Sequence, residues 1–211
     1  MKLLIYIFLK ILNFRIKVSE YYEIKKWQKI YDFSEPFPTF IKRKVLETYN
    51  SEDAIWVETG TLVGETAEYL SKISKFVYTI EPSEKYFEIS KKKLGKYKNI
   101  SIYNNSSEQI FEKILLEVQN NQNVCLWLDG HWSGGDTFKG LEDTPIKYEL
   151  DTIEKHLSKF SNLNILIDDF RLFDLDNNIE SYPPKEYLIN FAKKNDLKWD
   201  VSRDIFILIK K

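Results

Sequence analysis

Residues Val124 to Gly140 read VCLWLDGHWSGGDTFKG. The stretch opens as an apolar run, Val124–Leu128, of the kind that forms a buried strand. The run stops on Asp129-Gly130-His131, so a carboxylate and an imidazole stand at the carboxyl end of a strand. In open α/β sheets that edge is where ligands bind. Glycine is costly inside regular structure and is kept where backbone must bend or come close to a ligand. Of the seven glycines in the chain, Gly130, Gly134, Gly135 and Gly140 fall here. Gly60 and Gly64 fall in the second stretch on which the function turns.

Outward from this strand the pattern alternates. Ala54–Glu58 reads as an apolar strand ending in an acid, Gly60–Gly64 as a turn and Glu65–Ile73 as a helix. Phe76–Ile80 is a second strand followed by Glu81, Tyr86–Leu94 a helix, Ile100–Tyr103 a third strand and Ser107–Gln119 a helix. After Val124–Leu128 come a long helix, Ile146–Phe160, and a fifth strand, Ile165–Ile167, ending on Asp168-Asp169. Beyond Pro183-Pro184, Lys185–Lys194 is a helix. Leu197–Val201 and Ile205–Ile209, joined at Ser202-Arg203-Asp204, have the look of an antiparallel hairpin. Alternating strands and helices predict a mostly parallel sheet covered on both faces. With the hairpin, the expectation is an α/β fold of seven strands. No internal repeat points to a solenoid.

Composition bounds what such a fold could do. At 211 residues and 43% hydrophobic, the chain can build one sizeable core. We expect an N-terminal helical extension or lid over residues 1–50 and a main domain over residues 51–211. Lys+Arg 31 against Asp+Glu 32 gives a net charge of −1, so no global electrostatic case for nucleic acid exists. The single cysteine, Cys125, lies in an apolar strand and reads as core; it rules out an internal disulfide framework and fits a reducing, cytoplasmic setting. Two histidines and one cysteine are poor material for zinc, so any metal should be a hard one.

The extension begins with Met1–Phe14, MKLLIYIFLKILNF, an apolar run broken by Lys2 and Lys10. It is too short and interrupted to span a bilayer and lacks a signal-peptide cleavage site. Two readings remain: a helix packed on protein, or a helix lying at the inner face of a membrane with Lys2, Lys10, Arg15 and Lys17 at the head groups. Val18–Tyr31 and Phe40–Tyr49 read as helices separated by a break at Ser34–Pro38.

Three strand ends carry matched chemistry. In Val57-Glu58-Thr59-Gly60-Thr61-Leu62-Val63-Gly64-Glu65-Thr66 a strand, a glycine turn and a helix start bring backbone N–H groups and the positive helix end to the sheet edge. The spacing E-x-G-x-x-x-G differs from the dinucleotide fingerprint and lacks the P-loop lysine. The bland alternative is a tight turn with no ligand. Glu81, with Pro82 and Ser83, follows about twenty residues on, where an acid accepts hydrogen bonds from ribose. Asn104-Asn105-Ser106-Ser107 then forms a polar turn able to read an adenine edge.

Together these stretches resemble a class I S-adenosylmethionine-dependent methyltransferase, a Rossmann-like doubly wound fold. Glu58 to Gly64 resembles motif I, Glu81 the ribose-binding acid and Asn105-Ser106 the adenine turn. Leu128-Asp129-Gly130-His131 with Ile167-Asp168-Asp169-Phe170 is similar to the metal-dependent macrocin-type O-methyltransferases. The insert Trp132–Pro145 departs from that pattern and resembles a bacterial subgroup with a His-aromatic-Ser-Gly-Gly loop. The resemblance covers somewhat over half of the chain. It implies S-adenosylmethionine held by Glu58, Thr59, Gly60, Thr61, Gly64, Thr66, Glu81, Pro82, Ser83, Asn105, Ser106, Asp129 and Gly130. It also implies methyl transfer to a hydroxyl of a saccharide or similar polar small molecule, as in glycoside and polysaccharide modification.

The acids carry an argument of their own. Asp129, Asp168 and Asp169 end two strands expected to be neighbours, and three converging carboxylates raise one another's pKa. Bound Mg²⁺ would relieve this, and oxygen ligands suit it. Such a metal could hold the acceptor hydroxyl while His131 or Asp129 removes its proton. The alternative is that Asp168 and Asp169 cap the following loop and Asp129 contacts cofactor only. His156, within a helix, reads as structural. Trp132 and Phe138 could wall the acceptor pocket, and Lys139, Arg171 and Lys185 could meet an anionic acceptor; core packing and solvated surface charge are the alternatives. A homo-oligomer is compatible with the composition, and a non-catalytic Rossmann-like nucleotide-binding or membrane-surface module is the rival function.

Overall fold

The computed structural model describes residues 18–130, 144–173 and 182–210. Within them the elements run α1 (Val18–Tyr31), α2 (Thr39–Thr48), β1 (Ile55–Thr59), α3 (Glu65–Leu70), β2 (Phe76–Ile80), α4 (Glu84–Leu94), β3 (Ile100–Tyr103), α5 (Ser107–Val118), β4 (Asn123–Leu128), α6 (Ile146–His156), β5 (Asn162–Ile167), α7 (Lys185–Lys194), β6 (Lys198–Ser202) and β7 (Ile205–Lys210). Short 3₁₀ turns follow α6 at Leu157–Lys159 and β5 at Phe170–Phe173. The strands form one seven-stranded sheet in the order β3-β2-β1-β4-β5-β7-β6. Its first five strands pair in parallel, and β7 enters antiparallel between β5 and β6. The expected Rossmann-like fold with its terminal hairpin is therefore present.

Strand alternation explains why both faces are covered. Side chains of a strand point to opposite faces in turn. Val57, Leu126, Leu128, Ile165 and Phe206 join one apolar cluster with Phe111 and Leu115 of α5, Leu150 and Ile153 of α6 and Leu188 of α7. Trp56, Cys125, Trp127, Leu166 and Ile207 join a second cluster with Val45 and Leu46 of α2, Ala67 and Leu70 of α3 and Leu94 of α4. The helix expected over Ile146–Phe160 leaves α geometry after His156. The strand expected over Ile165–Ile167 starts earlier, at Asn162, because Asn162–Asn164 pairs with Asn123–Cys125 although only Leu163 of the three is fully buried.

Hydrogen bonds continue past the strand ends and bind the loops into one rim. Gly60 N and Thr61 N donate to Ile80 O at 3.0 and 3.1 Å, Glu81 N to Tyr103 O at 2.9 Å, Asp129 N to Thr59 O at 3.1 Å, and Asp168 N to Leu128 O at 3.0 Å. The turns after β1, β2, β4 and β5 are thus neighbours by backbone bonding, and α2 lies across the β1, β4 and β5 end of that rim. Among the described residues no helix is long and apolar enough to cross a membrane. Met1–Phe14 lies outside them.

Candidate active site

A cavity of about 180 Å³ opens between α2 and the rim. Phe37, Thr39, Lys42, Arg43 and Leu46 wall it on one side, the turn from Gly60 to Thr66 on another, and Trp127, Asp129 and Asp168 beneath. The indole N–H of Trp127 is buried in this wall and has no hydrogen-bond partner among the described residues.

The glycine turn is built to come close to β4. Gly60 adopts φ +85°, and a Cβ there would stand 2.4 Å from the Asp129 carbonyl oxygen. Gly64, at φ +72°, occupies the left-handed N-cap of α3, where glycine costs least. Thr61 and Thr79 share a hydroxyl hydrogen bond of 2.5 Å, and Thr79 Oγ1 donates to Glu58 Oε2, also at 2.5 Å. Glu58 is 1% exposed and not in the cavity wall. Burial pushes its carboxyl up to about 8. Its visible role is to tie β1 to β2 beneath the turn.

Glu81 performs the same tying above it. Its Oε2 accepts from Leu62 N at 2.6 Å and its Oε1 from Ser83 N at 2.9 Å, so one carboxylate clamps the glycine turn to the start of α4. Burial raises its pKa, opposed by those two N–H groups. Asn104 Nδ2 donates to Glu81 O at 2.9 Å. Ser106 is the N-cap of α5, in a reciprocal capping box with Gln109, and Asn105 Nδ2 reaches Gln109 Oε1 at 3.4 Å. Glu81, Pro82, Ser83, Asn105 and Ser106 are thus gathered at the β2–β3 end of the rim, outside the α2 cavity. Gly130 packs on Thr59, where a Cβ would stand 3.2 Å from Thr59 Oγ1.

At the other end of the rim lie the acids. Lys42 Nζ stands 2.6 Å from Asp168 Oδ1, 2.8 Å from Asp168 Oδ2 and 2.8 Å from Asp169 Oδ1. Arg171 Nη1 donates to Asp169 Oδ1 at 2.6 Å and also pairs with buried Asp204. Asp168 Oδ1 accepts from Asp169 N at 2.8 Å, so part of the loop-capping alternative is realised. Burial, then the neighbouring Asp168 and Asp169, holds the Asp129 carboxyl well above the usual range. Burial also raises Asp168, to about 6, although Lys42 works against it.

The donor set does not fit the expected Mg²⁺. Among the described residues no three acid, histidine or cysteine side chains close on a common point. Mg²⁺ needs oxygens at about 2.0–2.1 Å in near-octahedral array, whereas those of Asp168 and Asp169 are turned onto an ammonium and a guanidinium. The repulsion that suggested a metal is real, but lysine and arginine relieve it. Arg171, expected to meet an anionic acceptor, is committed to Asp169 and Asp204. Lys185 Nζ sits over the Phe170 ring, 5.1 Å from its centroid. His131, Trp132, Phe138 and Lys139 lie outside the described residues.

The residues do fit S-adenosylmethionine. A turn stripped of side chain at Gly60, an acid at the end of β2, a capped polar turn after β3 and an unpartnered buried indole N–H in a cavity beside Asp129 supply the kinds of contact an adenosyl amino acid needs.

Sequence reasoning missed the α2 contribution and Glu149. Lys42 lies four residues before buried Leu46, hence on the same helix face, which is the signal that could have placed it inward. Glu149 shares a face with Ile146 and Ile153; it is 1% exposed, accepts from Ser107 Oγ at 2.7 Å and is pushed up to about 7 by burial. His156 pairs with Glu112 at 2.9 Å, away from the cavity, and Cys125 is buried with its thiol pushed up to about 12, as a structural reading of each expects.

Neither the known family models nor the curated proteins include a sequence match to this chain. Solved structures do resemble it in fold. A SAM-dependent methyltransferase from Aquifex aeolicus superposes with TM-score 0.51 at 16% identity, covering 86% of this chain and 96% of that one. SMU.1697c from Streptococcus mutans, in complex with SAH, gives TM-score 0.51 at 16% identity over 83% and 98%. A protein from Clostridium thermocellum assigned as an rRNA methylase gives TM-score 0.53 at 13% identity over 80% and 93%. The chain has the Rossmann-like fold of these methyltransferases.

Proposed function

We propose that this chain is an S-adenosylmethionine-dependent methyltransferase acting on a hydroxyl of a saccharide or similar polar small molecule. The observation that carries the reading is the shared rim. The Gly60 turn closes to contact distance on the Asp129 carbonyl, while Glu81 clamps that turn from the other side. The cofactor supplies an electrophilic methyl carbon when bound. Around it Gly60 offers bare backbone and Thr61 and Thr66 line the cavity, while Thr59 and Gly64 shape the same turn from within; Glu81 with Pro82 and Ser83 is proposed for ribose. Asn105 and Ser106 stand at the adenine end, and Glu58 holds the turn from below.

The protein's chemical task is then to orient the acceptor oxygen and take its proton. Asp129 lines the cavity, and burial beside Asp168 and Asp169 shifts its carboxyl upward, the direction that strengthens it as a proton acceptor. His131, two residues on, is proposed for the same task. Helix α2 walls the cavity on one side, where Leu46 and Phe37, just ahead of the helix, present apolar side chains. Divalent-metal assistance is not carried into this reading, because the acids already face Lys42 and Arg171.

The saccharide assignment rests on the likeness of the acid motifs to macrocin-type enzymes. It is tested by incubating the full chain with methyl-labelled S-adenosylmethionine and a panel of nucleotide-linked sugars, free glycosides and an rRNA fragment. Label in a sugar hydroxyl is expected; label in RNA alone overturns the acceptor class. The rival, a non-catalytic binding module, predicts cofactor binding with no transfer to any acceptor. We further propose a cytoplasmic protein in which residues 1–14 can contact the inner membrane face, packing of that segment on protein being the other reading. Liposome flotation with and without that segment tests this, and equal flotation of both forms contradicts it.

A further inference from the structure

The β4–β5 end of the rim contains a cation drawn from outside the sheet. Lys42 belongs to α2, 126 and 127 residues before the two acids it bonds. Its side chain is only 12% exposed, so this is not a solvated surface pair of small consequence. Burial of Val45 and Leu46 fixes the helix on the sheet and hence fixes where the ammonium lands. Arg171 supplies a second charge, so two cations face the carboxylates of Asp168, Asp169 and Asp204. A divalent ion would have to displace Lys42 from Asp168 and then stand beside Arg171, whose repulsion is strong in a poorly solvated site.

We propose that Lys42 is the resident cation of this site, an ammonium that neutralises Asp168 and Asp169 where other arrangements of the same acids would use a divalent metal. It thereby holds α2, and the cavity wall formed by Phe37, Thr39 and Arg43, in register with Asp129. The proposal concerns the site read above as the methyl-transfer site, but its test needs no turnover. Burial works against the charge on Lys42, and the adjacent Asp168 and Asp169 more than offset it, holding its pKa above the usual lysine value.

The test is a titration of the full chain with Mn²⁺, followed by the resonance of the free ion, together with thermal unfolding in EDTA and in Mg²⁺. Wild type is expected to show no saturable Mn²⁺ binding below about millimolar concentration, the weak regime for oxygen-ligand sites. Its unfolding midpoint should be the same in EDTA and Mg²⁺. Lys42→Met should unfold about 10 °C lower, since removing one partner leaves buried charge uncompensated. It should also acquire Mn²⁺ binding and recover part of the lost midpoint in Mg²⁺. Lys42→Arg should behave as wild type toward both ions.

Micromolar Mn²⁺ binding by wild type, or a midpoint lowered by EDTA, overturns the proposal. So does a Lys42→Met protein that matches wild type in both stability and metal indifference. If Lys42→Met does not fold, wild type and Lys42→Arg still decide the question. Binding of S-adenosylhomocysteine is measured separately in EDTA. Its absence would remove the methyltransferase reading while leaving the assignment of Lys42 standing.

Discussion

The two ends of the rim are held together in different ways. On the β2–β3 side the contacts use backbone N–H groups: Glu81 accepts from Leu62 N, nineteen residues earlier, and from Ser83 N, and Gln109 accepts from Ser106 N. On the β4–β5 side the acids are answered by charged side chains: Lys42, brought from α2, and Arg171, two residues past Asp169 and shared with Asp204. A backbone-built subsite is fixed by the turn that carries it. A charge-built subsite depends on a helix that must first dock, so it should be the more sensitive to substitution, pH and salt.

The largest effect we expect is on turnover. Asp129→Asn keeps the shape of the cavity and removes the proposed base, so methyl transfer should fall by about 10²–10⁴-fold, the usual range for general base catalysis. Affinity for S-adenosylhomocysteine should stay within a few-fold. Equal losses in both would assign Asp129 to cofactor binding alone.

Next is Gly60→Ala. The added Cβ meets a backbone oxygen at 2.4 Å and the backbone is at φ +85°. Strain and overpacking together should cost about 3–4 kcal/mol of stability. Urea unfolding reads this directly, and cofactor affinity should fall with it. A protein as stable as wild type would mean that the turn and β4 are not in contact.

The pH dependence of stability separates the interior of the rim from its surface. Glu58 and Glu149, raised by burial to about 8 and about 7, keep their protons in the folded chain where the unfolded chain has lost them. Their stabilising contribution is complete below about pH 4.5 and is lost as pH rises through those values, at up to about 1.4 kcal/mol per pH unit for each proton. Glu68 runs the other way: its hydrogen bond from Tyr97 lowers it to about 2, so its contribution is present above its usual pKa and lost in acid. Stability should therefore peak near pH 5, and Glu58→Gln should flatten the fall toward pH 8. Chemical unfolding across pH 4–9 checks it, and an undiminished fall in Glu58→Gln would assign the slope elsewhere.

The smallest effect is at Glu81→Gln, which keeps one acceptor and loses charge. It leaves one of two backbone N–H groups poorly satisfied, so stability should drop by about 1–2 kcal/mol. Cofactor affinity should drop by roughly tenfold if the carboxylate also serves ribose, by analogy with the cost of one charged hydrogen bond. Loss of stability with unchanged affinity would leave Glu81 a clamp only.

The fold was legible because short continuous apolar runs and glycine turns are local signals. Val124–Leu128 and Ile205–Ile209 are apolar on both faces and became central strands. The placement of Gly60, Glu81 and Asp129 on one rim followed from strand order alone. What could not be read was the partner of each charge. Three acids at two strand ends imply a countercharge without saying whether it is an ion or a lysine. Lys42 sits in a helix that otherwise reads as polar and lid-like, and only the leucine four residues on points it inward. Glu58 shows the same limit: an acid beside a glycine turn suggests a ligand contact, yet its pleat turns it under the turn, toward Thr79.

The account depends most directly on whether the rim holds the adenosyl amino acid. Calorimetric titration of the full chain with S-adenosylhomocysteine in EDTA, repeated on Gly60→Val, measures this. Saturable one-to-one binding by wild type, lost in the variant, is the predicted result. No binding by wild type, or equal binding by a folded Gly60→Val protein, contradicts it.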